Sequence, residues 1–132
     1  MIIADIAIID ADLIGRKKHR FPNLVCMKLS GHHKSLGNTV TLKTDYNDLL
    51  DYDHVYISKV FTDTPIDEKI LLYKNVSYGG TGFFYDKAPP LPYEIEHHMP
   101  DYHLYDEWIN QQIGGVKNVM IINIILTTLL GS

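Results

Sequence analysis

Short apolar runs that alternate with helical or turn-like segments constrain this chain most strongly. The first run, Ile2 to Ile9, is rich in isoleucine and closes on Asp10-Ala-Asp12, as buried parallel strands do. Three further runs have strand composition, at Thr39 to Thr44, His54 to Val60 and Asn75 to Tyr78. Strands that alternate with helical segments form parallel sheets through right-handed crossovers. The sequence therefore predicts an α/β fold, an open, mostly parallel, Rossmann-like three-layer sandwich.

Helix signals occur in two of the connecting segments. Pro22 suits the first turn of a helix, and Gly37 suits the position just beyond its end. Gly31 lies inside this span and weakens the helix signal. Thr64, followed by Pro65 and acidic residues, has the composition of a helix N-terminus. We therefore expect a long helix before the second run and a short helix after the third.

Composition excludes several classes of protein. A chain of 132 residues with 45% hydrophobic content fits one domain. Its formal net charge of -4 gives no general attraction for nucleic acid or for an anionic membrane. The single cysteine excludes an intrachain disulfide, and the first residues lack the pattern of a secretory signal. We expect a cytoplasmic protein with neither a nucleic-acid nor a membrane partner.

The alternation of strands and helices stops after the stretch from Tyr78 to Pro92, YGGTGFFYDKAPPLP. Residues 1–88 are predicted to form the Rossmann-like domain. Residues 89–113 are rich in proline, aromatic and acidic residues, and we expect an irregular arm that ends in a helix from about Tyr102 to Ile113. Residues 114–132 form a hydrophobic, β-branched tail, which favours edge-strand pairing or self-association.

Ligands of open parallel sheets bind at the carboxyl ends of the strands. The candidate cofactor-binding residues lie in the loops expected there: Asp10, Asp12, Gly15, Gly79, Gly80, Thr81 and Gly82. The glycines would let backbone N–H groups approach a phosphate. They match neither G-x-G-x-x-G nor a P-loop, so a structural turn is the favoured interpretation. The basic run from Arg16 to Arg20 has the same two interpretations, an anion site or a solvated loop.

A second cluster, from Glu94 to His103, contains three histidines and three acidic residues. Imidazole and carboxylate are ligands for zinc and iron, which makes His97, His98 and His103 weak candidates for a metal site. Their spacing matches no metal motif, and a packed histidine cluster is the favoured interpretation. Cys26 is expected in the core. No catalytic residue is predicted, because no triad can be assembled from the sequence.

Several segments resemble a known family: Asp10-Ala-Asp-Leu-Ile-Gly15, Phe21-Pro-Asn-Leu24, Tyr52-Asp53 and, most specifically, Gly79 to Asp106. From Met1 to about Gln112 the chain resembles the N-terminal region of a group of bacterial radical SAM proteins. That region is similar to the cobalamin-binding-like Rossmann domain that precedes the radical SAM barrel. The resemblance implies a leading domain, non-catalytic on its own, that packs on the barrel and helps shape the substrate site. In the parent family the barrel carries a [4Fe–4S] cluster and S-adenosylmethionine.

The chain departs from this pattern in three respects. It lacks the C-x-x-x-C-x-x-C motif that holds the cluster, since Cys26 is its single cysteine. It also lacks the D-x-H-x-x-G motif of cobalamin domains, so we expect no cofactor in this chain. The segment from Lys117 to Ser132 is hydrophobic where the family has a polar, tyrosine-rich continuation. A frame shift near Lys117 is our hypothesis for that ending, and the DNA beyond Ser132 would test it.

Two other functions remain open. The chain could be a free-standing small-ligand or nucleotide-binding module that uses Gly79 to Gly82 together with Arg16 to Arg20. It could also be a metal-binding protein that uses the histidine cluster. Iron reconstitution and ligand-dependent thermal shifts discriminate among the three functions.

Overall fold

The computed structural model describes residues 3–15, 22–84 and 90–106. Four strands form one sheet, β1 Asp5–Asp10, β2 Thr39–Lys43, β3 His54–Ser58 and β4 Val76–Gly79. Their order is β2-β1-β3-β4, and every pairing is parallel. The predicted fold class, an open parallel α/β sandwich of Rossmann-like type, is confirmed.

The helices are short apart from one. They are α1 Ala11–Gly15, α2 Leu24–Ser35, α3 Thr81–Phe84 and α4 Tyr93–Glu96. Two 3₁₀ turns, Leu49–Asp51 and Ile70–Leu72, follow β2 and β3. No helix in the described ranges is both long enough and apolar enough to span a bilayer.

Side chains of β1 alternate between two apolar layers, as the period of a strand requires. Ile6 and Ile8 pack with Cys26 and Leu29 of α2 and with Ile95 of α4. The alternate residues of β1 pack on the opposite face against the two 3₁₀ turns: Ala7 and Ile9 join Leu49 and Ile70. The sheet is therefore covered on both faces, by α2 and α4 on one and by the two 3₁₀ turns with α1 and α3 on the other.

Both ends of α2 are fixed by local hydrogen bonds. The side chain of Asn23 accepts from the backbone N–H of Cys26 at 3.1 Å, so Asn23 is the N-cap and Pro22 precedes the cap. At the other end Gly37 has φ of 85°, and its N–H donates to the Lys34 carbonyl at 3.0 Å. The predicted glycine cap is thus confirmed, whereas the helix begins later than Pro22 predicted.

Gly31 does not interrupt α2, because its role lies in tertiary packing. A Cβ at this position would overlap the carbonyl oxygen of Met99, in the segment that follows α4. Glycine permits this close approach of two backbones. Residues 90–106 are called the arm below. The arm therefore contacts the backbone of α2 directly at Gly31.

The arm is held on α2 by polar contacts as well as by Ile95. Lys28 pairs with Glu96 at 3.1 Å, and Lys34 pairs with Asp101 at 2.6 Å. The backbone N–H of Asp101 donates to the Met27 carbonyl at 2.8 Å. Residues 102–105 form turns, where we predicted the start of a helix. The rest of that predicted helix, to Ile113, and the tail 114–132 lie outside the described residues.

The helix predicted after β3 is the main error of local structure. Thr64 does not cap a helix, because its hydroxyl donates to Asp12 at 2.6 Å. A buried bond to a carboxylate is stronger than a bond to a neutral acceptor, so it outweighs local helix preference. The segment instead forms only the 3₁₀ turn Ile70–Leu72 in the part described. A one-turn helix, Thr81–Phe84, also occupies the predicted glycine loop.

Candidate functional site

The crevice of this sheet lies at the carboxyl ends of β1 and β3. In the sheet, β2 lies beside β1 on one side, whereas β3 and then β4 lie on its other side. The direction in which the chain adds strands therefore reverses between β1 and β3. Ligands of open α/β sheets bind at such a switch point. Its side chains are buried: Asp10 and Asp12 are 0% exposed, Ser58 is 4% exposed and Lys59 is 7% exposed.

Asp12 accepts three hydrogen bonds from the loop that follows β3. Its carboxylate receives the backbone N–H of Val60 at 2.7 Å and that of Phe61 at 3.3 Å. The Thr64 hydroxyl donates to it at 2.6 Å. Hydrogen bonds to an ionised acceptor are the stronger kind. Asp12 therefore fastens the β3 loop to the end of β1.

Asp10 is joined to the arm through Tyr105. The Tyr105 hydroxyl donates to Asp10 at 2.7 Å and accepts the backbone N–H of Asn23 at 3.1 Å. The side-chain amide of Asn23 in turn donates to Ser58 Oγ at 2.9 Å. This network brings together the end of β1, the start of α2, the end of β3 and the arm. Tyr105 is 1% exposed, so it occupies the crevice from within the same chain.

Burial determines the protonation of the groups around Tyr105. Burial raises the pKa of Tyr105, and the charges of Cys26 and Asp10 raise it further. Burial is also the main cause that raises the pKa of the Cys26 thiol, followed by Asp10. Tyr105 therefore remains a neutral phenol that can donate to Asp10, and Cys26 remains a protonated thiol.

Tyr46 reaches the same edge from the loop that follows β2. Its hydroxyl is buried and makes no hydrogen bond within the described part of the chain. Burial, followed by the charges of Asp10 and Asp12, raises the pKa of Tyr46 to about 12. The phenol therefore keeps its proton beside two carboxylates. Nothing in the sequence distinguished Tyr46 from the other tyrosines.

The glycines after β4 pack against the backbone that follows β3. Gly80 has φ of 107°, and a Cβ there would overlap the Lys59 carbonyl. A Cβ on Gly82 would lie 2.8 Å from the carbonyl oxygens of Lys59 and Phe61. The Gly82 N–H donates to the Lys59 carbonyl at 2.8 Å. Both glycines are thus required for contact between the two loops.

Lys59 places its ammonium group inside this contact. Its Nζ donates to the Thr64 carbonyl at 3.3 Å and lies 4.6 Å from the centre of the Phe83 ring. A cation above an aromatic face is attracted by the ring quadrupole. The ammonium group therefore lies between the β3 loop and α3.

The structure brings most of the predicted cofactor-binding residues to one edge. Asp10, Asp12, Gly80 and Gly82 surround the β3 loop as described above. Gly15 joins them, since a Cβ there would lie 2.8 Å from Thr64 Cγ2. The remaining two residues, Gly79 and Thr81, have different surroundings. A Cβ on Gly79 would meet no atom within 4 Å. Thr81 is exposed, and its hydroxyl donates to the Val60 carbonyl at 2.9 Å. The basic run from Arg16 to Arg20 lies outside the described residues.

The histidines of the arm engage separate partners. His97 Nδ1 lies 3.1 Å from the Tyr93 carbonyl oxygen, and His98 Nδ1 lies 2.9 Å from that of Met99. His103 Nδ1 lies 2.8 Å from Asp106 Oδ2. In residues 3–15, 22–84 and 90–106, no group of three histidine, cysteine or acidic side chains could hold a metal ion.

The chain also does not fit an iron–sulfur cluster. Such clusters are held by several cysteine thiolates. Cys26, the single cysteine, is 0% exposed and packs in the core between β1 and α2. Its residues therefore provide no site for the [4Fe–4S] group of the radical SAM family.

Removal of the Tyr105 hydroxyl tests the network at this edge. We expect Tyr105→Phe to lower the free energy of unfolding by about 1–3 kcal/mol, because it takes a donor from Asp10 and an acceptor from Asn23. Urea unfolding of the variant measures this change. Tyr102→Phe is the matched control, since the Tyr102 hydroxyl has no hydrogen bond within the described residues. Equal stability of the two variants would contradict a structural role for the Tyr105 hydroxyl.

No protein-family model, curated protein or solved structure matches the chain.

Proposed function

We propose that this chain is a leading, non-catalytic Rossmann-like module of a radical SAM protein. In the full-length protein it would pack on the barrel and help shape the substrate site. The observation that carries the proposal is the occupation of the switch-point crevice by the chain's own arm, through the bond from Tyr105 to Asp10. A module whose usual ligand site is filled by its own side chain is suited to a structural role.

The polar groups of the crevice support this interpretation. A catalytic acid or base must reach the proton that it transfers. Asp12 instead accepts three bonds from the β3 loop, and Asp10 accepts from Tyr105 and from the backbone N–H of Leu13 at 3.2 Å. These carboxylates connect segments of the chain to one another.

The outer side of the arm offers apolar surface to a partner. Tyr93 is 74% exposed and Met99 is 68% exposed, while Ile95 between them is buried in the core. Aromatic residues and methionine are enriched in protein interfaces. An arm fixed on α2 by its inner side, with such groups on its outer side, supports docking on a barrel.

The first experiment is anaerobic reconstitution of the isolated chain with iron and sulfide. We expect no stoichiometric [4Fe–4S] cluster, because a single buried thiol cannot hold one. Stoichiometric iron and sulfide on this chain would contradict the proposal.

The second experiment tests docking in trans. The chain is mixed with the barrel of a full-length radical SAM relative from which the leading domain has been removed, and complex formation is measured by analytical ultracentrifugation. We expect binding that weakens when Tyr93 and Met99 are both replaced with serine. Leu72→Ser is the control, since Leu72 is 84% exposed on a 3₁₀ turn of the opposite face. Absence of a complex, or equal weakening by the control, would count against the proposal.

A thermal-shift series separates this function from a free-standing ligand module. Ligands that bind the folded chain raise its Tm with concentration. We expect no saturable shift with nucleotides, S-adenosylmethionine or cobalamins. A saturable shift with any of them would favour the small-ligand alternative.

A further inference from the structure

Five aromatic rings form a continuous ladder from the arm, across α2, to β3. The ring centroid of His98 in the arm lies 5.8 Å from that of His32, and His32 lies 5.2 Å from His33. His33 lies 5.3 Å from Tyr56 of β3, and Tyr56 lies 4.4 Å from His54. Four of these five rings are imidazoles. His54 begins β3 and Tyr56 is its middle residue, whereas the crevice described above lies at the carboxyl end of the strand.

The hydrogen bonds of His33 select its neutral form. Asn38 Oδ1 accepts the backbone N–H of Ala4 at 3.2 Å, which directs the Asn38 amide nitrogen toward His33 Nδ1 at 3.1 Å. Because an amide nitrogen only donates, Nδ1 must accept, and the ring proton lies on Nε2. Nε2 then donates to the Tyr56 hydroxyl at 3.0 Å. A proton added at His33 Nδ1 would face the amide N–H group of Asn38, which is also a donor. Rotation of the Asn38 amide would relieve this conflict but would remove the bond from the Ala4 N–H to Asn38 Oδ1.

The histidines of the ladder form no ion pairs that would compensate positive charge in the part of the chain that the structure describes. His103 pairs with Asp106, but none of His32, His33, His54 and His98 forms an ion pair within the described residues. Two acidic side chains of the arm are already paired with lysines of α2, Glu96 with Lys28 and Asp101 with Lys34. The Asp53 carboxylate, next to His54 in the chain, accepts the backbone N–H of Asp5. Lys34 adds a further cation at the end of α2. Successive protonation would therefore place like charges on neighbouring rings.

We propose that this ring ladder is a proton-sensitive joint, in which charging of the imidazoles loosens the arm from α2. The charge would act across the contact between His32 and His98, next to the place where the Gly31 backbone meets Met99. The joint is a property of this fold and does not depend on a radical SAM partner.

The direction of the pH effect follows from the two central histidines. Burial lowers the pKa of His33 below its ordinary value of 6.5, and the charges of His32 and His54 lower it further. Burial also lowers the pKa of His54. The unfolded state therefore binds more protons than the folded state. The stabilisation is complete above pH 6.5 and is lost as the pH falls from that value through the lower, folded-state pKa.

Asp101 does not titrate in the same window. Burial alone would raise its pKa, but hydrogen bonds from Lys34, Ser30 and the His103 backbone hold the pKa of Asp101 below its ordinary value of 3.8. The ion pair between the arm and α2 therefore persists while the histidines become charged. A loss of arm packing between pH 6.5 and the range in which Asp101 titrates would report the ladder rather than the carboxylate.

Amide hydrogen exchange at Asp101 tests the joint, since this N–H bonds to Met27 across the contact between arm and helix. Between about pH 7.5 and about pH 5.5, corrected for intrinsic exchange, we expect its protection to fall at least about threefold in the wild-type chain. The fall should be clearly smaller in His33→Gln, which cannot gain the charge. His103→Gln, at a histidine 80% exposed in its side chain, is the control and should behave as wild type.

Each other outcome overturns the proposal. Protection that does not change with pH in the wild-type chain would show that the ladder does not control the arm. The same fall in wild type and His33→Gln would show that His33 is not involved. If His33→Gln does not fold, titration of the histidine ring signals in the wild-type chain decides: an apparent pKa of His33 at or above 6.5 contradicts the joint.

Discussion

Replacement of Asp12 with alanine should lower the free energy of unfolding by about 3 kcal/mol or more, because three donors lose a charged acceptor. Two of these donors are backbone N–H groups, of Val60 and Phe61, and the third is the Thr64 hydroxyl. Thr64 is 3% exposed, so water cannot readily replace the lost acceptor there. The loop after β3 would lose its attachment to the end of β1.

Urea unfolding followed by circular dichroism measures this effect. Asp12→Asn should fall between wild type and Asp12→Ala, since an amide keeps one acceptor oxygen but loses the charge. Glu68→Ala, an exposed acidic position in the segment that follows the same loop, is the matched control and should change stability by less than about 0.5 kcal/mol. A loss at Asp12 no larger than the loss at Glu68 would show that the carboxylate does not hold the loop.

Replacement of Gly31 with alanine should destabilise the protein, against the expectation from helix propensity. Alanine is favoured over glycine inside a helix by about 1 kcal/mol. The methyl group added at Gly31 would overlap the Met99 carbonyl, and it would lie 3.1 Å from His98 Nδ1. The arm must move for the methyl group to fit, and we expect a net loss of about 1–3 kcal/mol.

The same substitution at Gly79 provides the control for Gly31. A Cβ at Gly79 meets no atom within 4 Å, so Gly79→Ala introduces no overlap. Thermal unfolding compares the two variants, and exchange of the Asp101 N–H identifies whether the arm has moved. A Gly31→Ala variant more stable than wild type, with Asp101 still protected, would contradict a direct contact of the arm with α2.

The sheet could be predicted from the sequence because its signals are local. β-Branched runs specify β1 to β3, and Gly37 ends α2 through its own conformation. The prediction of a helix after β3 was wrong because the contact that decides the conformation there is distant in sequence. Thr64 has a local cap signal, but its partner Asp12 is 52 residues away in the chain. No pattern within a short window reports such a bond.

The site could be predicted only in part for the same physical reason. Asp10 and Asp12 were identified because acidic residues that follow a strand lie at its carboxyl end. Their partners could not be identified, since Tyr105 lies 95 residues from Asp10 in sequence. Gly31 was interpreted as a weakness of α2, whereas its missing side chain makes room for the arm. Spacing alone identified the acceptors but not the donors.

The bond between Tyr105 and Asp10 also determines where residue 106 lies. Because the Tyr105 side chain is anchored beside the end of β1, residue 106 lies next to the carboxyl edge of the sheet. A domain joined there through a short tether would be confined near that edge at high effective concentration. Weak contacts would then suffice to hold it, and lengthening the tether would weaken the association without any change in the contacting surfaces.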